Sequence, residues 1–348
     1  MSHARACFFV LACIGASVLA ASAAASLVAC SSLKDAGSTD DAAAAAAAAE
    51  GGPGPGGNDG GVGGGTDAMQ PSSEGATPPT GKGNGDPRWP SWPLPPDAPA
   101  STSYTVTNGP DGAIIVDTVT GLGWEDTVPT TTRSFDDASA YCDALVYDGQ
   151  SDWRLPTRIE AISIMVFQPT FDGSSVAGPA FSDVAGAPCF WTGSRDAQSA
   201  TQAYALNIAT VSTMQTSSSC VARCVRGGDP LGSPVAKQYV LTTDTVTDPT
   251  TGLVWEKTPP ETSGPFANAD ARCKALVLGG HTMRLPGVKE LASIVDETKH
   301  APAQAGAFGS YSVRMFTSNP EWTVDFTFGS LIQGPTGFDQ YSRCVAQL

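Results

Sequence analysis

The apolar positions between residues 134 and 166 predict two amphipathic helices. Behind Ser134, apolar residues fall at helical spacing, and the Ser134 hydroxyl can cap that helix together with Asp137 three residues later. Thr157 and Glu160 form a capping-box pattern in front of a second apolar stripe. The first stripe contains Phe135, Ala138, Cys142, Leu145 and Val146. The second stripe contains Ile159, Ile162 and Val166.

Short strands are predicted on either side of these helices. One strand is expected to end in the Gly-Leu-x-Trp-Glu turn at 121–125. Segments of Ser, Thr, Val and aromatic residues, such as 190–192 and 204–211, are typical of small strands joined by long loops. This part of the chain is therefore expected to combine two helices with several short strands.

A repeat organises the chain from residue 102 to the end. Motif residues within 117–145 return at a constant offset of 131, and later motifs return in the same order. Trp124 returns as Trp255, and Arg223 returns as Arg343. The motif Arg154, Leu155 and Pro156 returns as Arg284, Leu285 and Pro286. Because order and spacing both persist, we predict two units of common domain size, 102–228 and 238–348, joined around 227–237.

The N-terminus predicts export and a lipid anchor. Residues 1–29 read as a signal peptide, and Leu-Val-Ala-Cys at 27–30 resembles the bacterial lipobox. Cys30 is then the lipid-bearing first residue of the mature protein, and its acyl chains hold it in a membrane. An ordinary secretory signal or an uncleaved membrane helix is the alternative. Ser31 replaces the Asp that commonly retains lipoproteins in the inner membrane, which favours the outer membrane or cell surface.

Residues 30–101 are predicted to form a disordered tether. They include eight consecutive alanines at 42–49 and a Gly-rich stretch at 51–65, and such a composition cannot build a core. About seventy residues of flexible chain reach roughly 45 Å. The net charge of the whole chain is -15, which argues against nucleic acid as a partner.

Six cysteines fall in the repeated part, and an even number in an exported chain indicates disulfides. The second unit has only two, at positions that match two in the first, so the repeat resolves the pairing. The predicted pairs are Cys142 with Cys224, Cys273 with Cys344, and Cys189 with Cys220. The alternative is a metal site on Cys220 and Cys224, but that spacing is absent from the second unit and no histidine lies close in sequence.

Taken in order, the motifs resemble the Lcl C-terminal domain family, which is named for the terminal domain of a collagen-like bacterial adhesin. The first unit carries Thr-Gly-Leu-x-Trp at 120–124, a Cys before Ala-Leu, Asp-Gly-x-x-Asp-Trp-Arg-Leu-Pro-Thr at 148–157 and Arg-Cys-Val-Arg at 223–226. The second unit is degenerate. It has Met283 in place of Trp153, Gly287 in place of Thr157, Phe316 in place of Trp191 and Ala346 in place of Arg226.

The resemblance implies an α+β fold made of two tandem C-type-lectin-like domains, each with two helices and small antiparallel sheets. Within such a fold the motif residues are expected to be structural. Trp124, Trp153 and Trp191 would pack the core, and Arg154 would bond a buried carboxylate or carbonyl. A likeness of fold does not carry function across.

The resemblance also implies an adhesive or glycan-binding module displayed at a cell surface. Its expected partners are a glycan or a surface protein, and the membrane, to which the lipid anchor attaches it. An envelope scaffold without a small ligand is the alternative, and a formylglycine-generating type of enzyme is a more distant one. That enzyme chemistry needs free cysteines. The two histidines of the mature chain, His281 and His300, lack a nucleophile motif beside them and are expected to be solvated surface residues. Neither an enzyme nor a cofactor is therefore expected.

A metal is not expected either. Calcium-binding lectin loops carry Glu-Pro-Asn or Gln-Pro-Asp, whereas the nearest match here, Gln168, Pro169 and Thr170, lacks the carboxylate. The acidic turn at 148–152 has no counterpart in the second unit, which carries Gly279, Gly280 and His281 there.

Overall fold

The computed structural model describes residues 89–126, 128–167, 180–181, 189–207, 210–228, 238–334 and 337–348. Cys30, the signal peptide 1–29 and the part of the predicted tether up to residue 88 lie outside these ranges, as do Gln168, Pro169 and Thr170. Both repeats belong to one unit of the fold. Within the described ranges no helix is long and apolar enough to cross a bilayer.

The structure consists of small antiparallel sheets with four short helices in the described residues. A 3₁₀ turn at Ser101–Ser103 leads into the first repeat. The elements of the first repeat are β1 (Tyr104–Asn108), β2 (Ala113–Asp117), β3 (Gly123–Glu125), α1 (Phe135–Ala144), α2 (Arg158–Ile164), β4 (Phe190–Arg195), β5 (Gln202–Leu206), β6 (Thr210–Gln215) and β7 (Val225–Arg226).

The second repeat follows the same order of elements, with two further short strands between its helices. Its elements are β8 (Val240–Leu241), β9 (Thr245–Asp248), β10 (Leu253–Glu256), α3 (Phe266–Ala275), β11 (Val277–Leu278), β12 (His281–Thr282), α4 (Val288–Ala292), β13 (Arg314–Phe316), β14 (Trp322–Asp325), β15 (Ser330–Gln333) and β16 (Val345–Gln347), with a 3₁₀ turn at Gly306–Phe308. The two further strands are β11 and β12.

Local sequence signals explain where the helices begin, but the helices are shorter than predicted. The Ser134 hydroxyl accepts from the Asp137 amide at 3.3 Å, and Thr157 and Glu160 form the capping box. Helix α1 ends at Ala144, so Leu145 and Val146 lie beyond it, and Val146 is 65% exposed. Because α2 ends at Ile164, Val166 also lies outside the helix.

Two strand predictions need correction. The 121–125 motif is not wholly a turn: the chain turns at Gly121, whose φ is +71°, and Trp124 already lies within β3, paired with Ile115. The segment 204–211 is not a single strand but the end of β5 and the start of β6, which pair with each other.

Each repeat contributes one four-stranded sheet, and both contribute to a third. The orders β1-β2-β3-β7 and β16-β10-β9-β8 are related by the repeat. A six-stranded antiparallel sheet runs in the order β13-β14-β15-β6-β5-β4, and a small pair is formed by β11 and β12. Strand β6 of the first repeat pairs with β15 of the second, with Val211 opposite Leu331. The two repeats therefore share one sheet.

The three disulfides join the pairs predicted from the repeat. Cys142 bonds Cys224, Cys189 bonds Cys220, and Cys273 bonds Cys344. The first and last of these tie helices α1 and α3 to the end of their own repeat. Cys220 and Cys224 have different disulfide partners, so they do not form the alternative metal site.

A buried aromatic cluster recurs in both repeats. In the first repeat Phe181 lies edge-on to Trp124, with ring centroids 6.2 Å apart, and the guanidinium of Arg223 lies 5.0 Å from the Phe181 ring. In the second repeat Phe308 lies edge-on to Trp255 at 5.9 Å, and Arg343 lies 5.2 Å from the Phe308 ring. The equivalent members are Tyr104 with Tyr239, Trp124 with Trp255, Phe181 with Phe308, and Arg223 with Arg343.

Residues 89–100, here called the strap, are folded against the repeats. The prediction of a disordered tether to residue 101 is therefore wrong for these residues. Trp92 is buried in the main core, and Trp89 and Leu94 pack against it. Large aromatic side chains provide apolar area that the Ala- and Gly-rich segment upstream lacks, and prolines lower the entropy lost on ordering.

Candidate functional site

The Arg-Leu-Pro motifs form internal ion pairs. Arg154 binds both oxygens of Glu160, each at 2.6 Å, and donates to the Gly227 carbonyl at 3.1 Å. Arg284 binds Glu290 in the same way, at 2.6 and 2.7 Å. Burial opposes the charge of Arg154, but the Glu160 carboxylate outweighs it and raises the pKa of Arg154 above its ordinary value. Both glutamates also accept from the backbone at a helix start, so the motif fixes the entry of that helix.

Leu155, Pro156, Leu285 and Pro286 connect these arginines to helices α2 and α4. Leu155 and Leu285 are buried. The carbonyls of Pro156 and Pro286 each accept a backbone hydrogen bond at 2.7 Å, from Gly193 and Ser318 respectively. The motif therefore anchors α2 to β4, and α4 to the chain just after β13.

The motif tryptophans are core residues. Trp153 is fully buried, lies edge-on to Tyr147 and donates its indole N–H to the Gln150 carbonyl at 3.1 Å. Trp191 packs edge-on against Phe135 at 5.6 Å, and its counterpart Phe316 packs against Phe266 at 5.5 Å. Met283, in place of Trp153, is also buried. These side chains are enclosed, so they do not present a binding surface.

The two histidines are separate, and both are half-buried rather than fully solvated. His281 lies in β12, and the His300 ring lies 5.2 Å from the ring of Phe328. In the acidic turn, Asp152 is paired with Arg226 at 2.8 Å. No group of three or more His, Cys, Asp or Glu residues in the described part of the chain could hold a metal ion.

A buried polar joint connects the repeats behind the six-stranded sheet. The ammonium of Lys289 in α4 donates to the Ser163 carbonyl in α2 at 2.7 Å. Arg158 in α2 lies 4.0 Å from Glu297, and both side chains are almost fully enclosed. Tyr204 donates to the Phe328 carbonyl at 2.6 Å. Burial lowers the pKa of Lys289 to about 7.

An open cleft of about 540 Å³ lies where the strap, the start of the second repeat and the chain after α4 meet. It is lined by Trp89, Gln238, Tyr239, Leu241, Asp296, Ala305, Gly306 and Ala307. Gln238 and Leu241 are exposed, and Trp89 and Tyr239 are half-buried. The walls thus combine aromatic surface with polar groups in contact with solvent, as small-molecule sites commonly do.

The cleft carries no uncompensated charge at its lining residues. Asp296 accepts from the backbone and hydroxyl of Thr298 at 3.0 and 2.5 Å and pairs with Lys299 at 3.0 Å. Burial raises the pKa of Tyr239 above its ordinary value, so its phenol stays protonated at neutral pH. A neutral ligand therefore suits this cleft better than a polyanion.

Neither the cleft nor the joint was predicted from the sequence. Trp89 fell within the predicted tether, and Gln238, Tyr239 and Leu241 lie just after the predicted linker. The sequence signal that could have indicated the cleft was the presence of Trp89 and Tyr239 in segments otherwise rich in Pro, Gly or Ser. Lys289 and Arg158 sit on helices whose apolar stripes gave no reason to expect buried cations.

The family model described as the Lcl C-terminal domain matches residues 113–226 and 244–346, which together cover more than half of the chain. No curated protein and no solved structure matches the chain.

Proposed function

The chain belongs to the Lcl C-terminal domain family, through both of its repeats, and from that premise we propose that it is a non-catalytic binding protein held outside the cytoplasm. In this proposal Cys30 carries the lipid anchor, the chain from 31 to 88 is the tether, and the repeats adopt a C-type-lectin-like fold. The three disulfides support a location outside the reducing cytoplasm.

The observation that carries the proposal is the cleft beside the strap. A pyranose ring offers an apolar face and a rim of hydroxyls. Trp89 and Tyr239 supply aromatic surface, Gln238 supplies both a donor and an acceptor, and Gly306 is exposed at the rim. We infer that the ligand is an uncharged saccharide, displayed on a surface that the tethered protein can reach.

The six cysteines of the repeats support a binding role over oxidative enzyme chemistry. Each of them is engaged in a disulfide, whereas formylglycine-type chemistry needs free thiols. The motif residues that the repeats share are likewise engaged in packing or internal ion pairs. A scaffold role without a small ligand is the alternative, and the binding experiment distinguishes the two.

The test is a glycan array probed with the purified full chain, its disulfides intact, followed by titration of the best saccharide. Trp89→Ala is expected to weaken binding about tenfold, equivalent to about 1.4 kcal/mol. Phe338→Ala is the matched control, because Phe338 is 66% exposed and is not among the residues lining the cleft. Absence of binding across neutral and anionic glycans would favour the scaffold role. Equal affinity in wild type and Trp89→Ala would place any binding elsewhere.

A further inference from the structure

One residue of the strap, Asp97, contacts both repeats. The backbone carbonyl of Asp97 accepts from the Phe167 amide, just after α2 of the first repeat, at 2.9 Å. The carboxylate of Asp97 accepts from the amides of Val288 and Lys289, at the start of α4 in the second repeat, at 2.8 and 3.0 Å. One residue of the strap therefore bridges helices that lie about 130 positions apart in sequence.

Asp97 supplies a helix cap that the second repeat lacks. In the first repeat, Thr157 caps α2 with its own hydroxyl, and Ser194 accepts from the Arg158 amide at 2.9 Å. The position of Thr157 is taken by Gly287, which has no side chain to accept a hydrogen bond. The Asp97 carboxylate satisfies the first amides of α4 instead, and a carboxylate at a helix start is also favoured by the helix dipole.

The presence of glycine at position 287 is explained by the space that the Asp97 side chain occupies, and not by the backbone conformation of residue 287. Its φ is -61° and its ψ is 167°, a conformation that any residue adopts. A Cβ at this position would lie 2.9 Å from Oδ2 of Asp97. A side chain at residue 287 would therefore force the Asp97 carboxylate to shift from its present position.

Lys289 reinforces the same junction. Its ammonium donates to the Pro96 carbonyl of the strap at 2.8 Å and to the Ser163 carbonyl of α2 at 2.7 Å. The charged groups that act on it are the carboxylates of Asp97 and Asp117. The strap, α2 and α4 thus meet at one buried amine.

We propose that the strap is a clasp, a non-repeated element that holds the two repeats in register and ties the upstream chain to the joint between them. A pull on the upstream chain therefore acts on the strap before it acts on the edge of the first repeat. Because Trp89 belongs to the same strap, release of the clasp also removes one wall of the cleft. The clasp acts at the joint itself and requires no ligand.

The test is hydrogen exchange of the purified full chain, read by mass spectrometry at peptide level. In Asp97→Ala we expect amides at 288–289 to exchange about tenfold faster or more. The clasp also predicts faster exchange where β6 pairs with β15, while β2 and β3 keep wild-type rates. Ser134→Ala is the matched control, because it removes a cap inside one repeat and is expected to affect only α1. Asp97→Asn, which keeps one oxygen acceptor, serves if the alanine variant does not fold.

A second set of variants distinguishes local capping of α4 by Asp97 from the role of the strap in holding the two repeats together. In Gly287→Thr alone, the new Cβ should displace the Asp97 carboxylate from the amides of α4, and exchange at the β6–β15 pairing should accelerate. In Asp97→Ala combined with Gly287→Thr, the threonine should restore protection at the start of α4 but not at the β6–β15 pairing. If Asp97→Ala changes only 288–289, or if the double variant restores both regions, Asp97 is only a local cap and the clasp is wrong.

Discussion

Replacing Lys289 with Met tests the buried joint through its dependence on pH. The ordinary pKa of a lysine is 10.5, and burial lowers that of Lys289 to about 7, opposed by the carboxylates of Asp97 and Asp117. Both of its hydrogen bonds go to carbonyls, at Pro96 and Ser163, and a neutral amine can still donate two hydrogen bonds. The contacts therefore survive loss of the proton, while the cost of burying the charge is relieved.

The sign of the effect follows from proton counting. Between about pH 7 and pH 10.5 the unfolded chain keeps the Lys289 proton and the folded chain has released it. The unfolded state then holds more protons, so the free energy of unfolding rises with pH, by at most about 1.4 kcal/mol per pH unit. From pH 7 to pH 9 the gain is about 2 kcal/mol. Burial raises the pKa of Tyr104, Tyr141 and Tyr239, so those groups titrate above this range.

The assay is denaturant unfolding of the full chain at pH 7, 8 and 9. Wild type should gain about 2 kcal/mol over this range, and Lys289→Met should lose most of that slope whatever its absolute stability. Lys274→Met is the control, because Lys274 is exposed and pairs with Asp270 at the surface. A flat wild-type profile, or an unchanged slope in Lys289→Met, would show that Lys289 is not buried as a group with a lowered pKa.

Three further outcomes are expected. Replacing both Cys273 and Cys344 with Ala removes a disulfide between residues 71 positions apart. The free energy of unfolding should fall by about 4 kcal/mol in denaturant titration. Arg154→Met should cost about 3 kcal/mol and Arg284→Met about 1 kcal/mol or less, because their side chains are 4% and 44% exposed; equal costs would contradict this. Cys30→Ser should abolish labelling by radioactive palmitate and release the protein from the membrane fraction, and persistent labelling would rule out Cys30 as the anchor.

The features that could be predicted from the sequence are local or repeated. The caps at Ser134 and Thr157 depend on residues three positions apart, and the disulfides followed from matching the cysteines of one repeat to those of the other. The helix ends were less predictable. Val146 and Val166 continue the apolar spacing but lie beyond the last helical turn, since apolar residues outside a helix can keep its period by chance.

The features that were missed depend on contacts between distant parts of the chain. Phe181 and Phe308 lie 127 positions apart, so they break the constant offset of 131 of the earlier motifs. Asp97 caps a helix that begins 191 residues later, and no local pattern records such a contact. The pairing of β6 with β15 joins strand edges, and edge pairing leaves no period in the sequence of either strand.

Saccharide binding in the cleft beside the strap can be seen directly in a crystal structure of the full chain with its best-bound saccharide. We expect the sugar ring to lie against Trp89, with its hydroxyls hydrogen-bonded to Gln238 and to the backbone near Gly306. A saccharide bound anywhere else on the repeats, with the cleft beside Trp89 filled only by solvent, would contradict it.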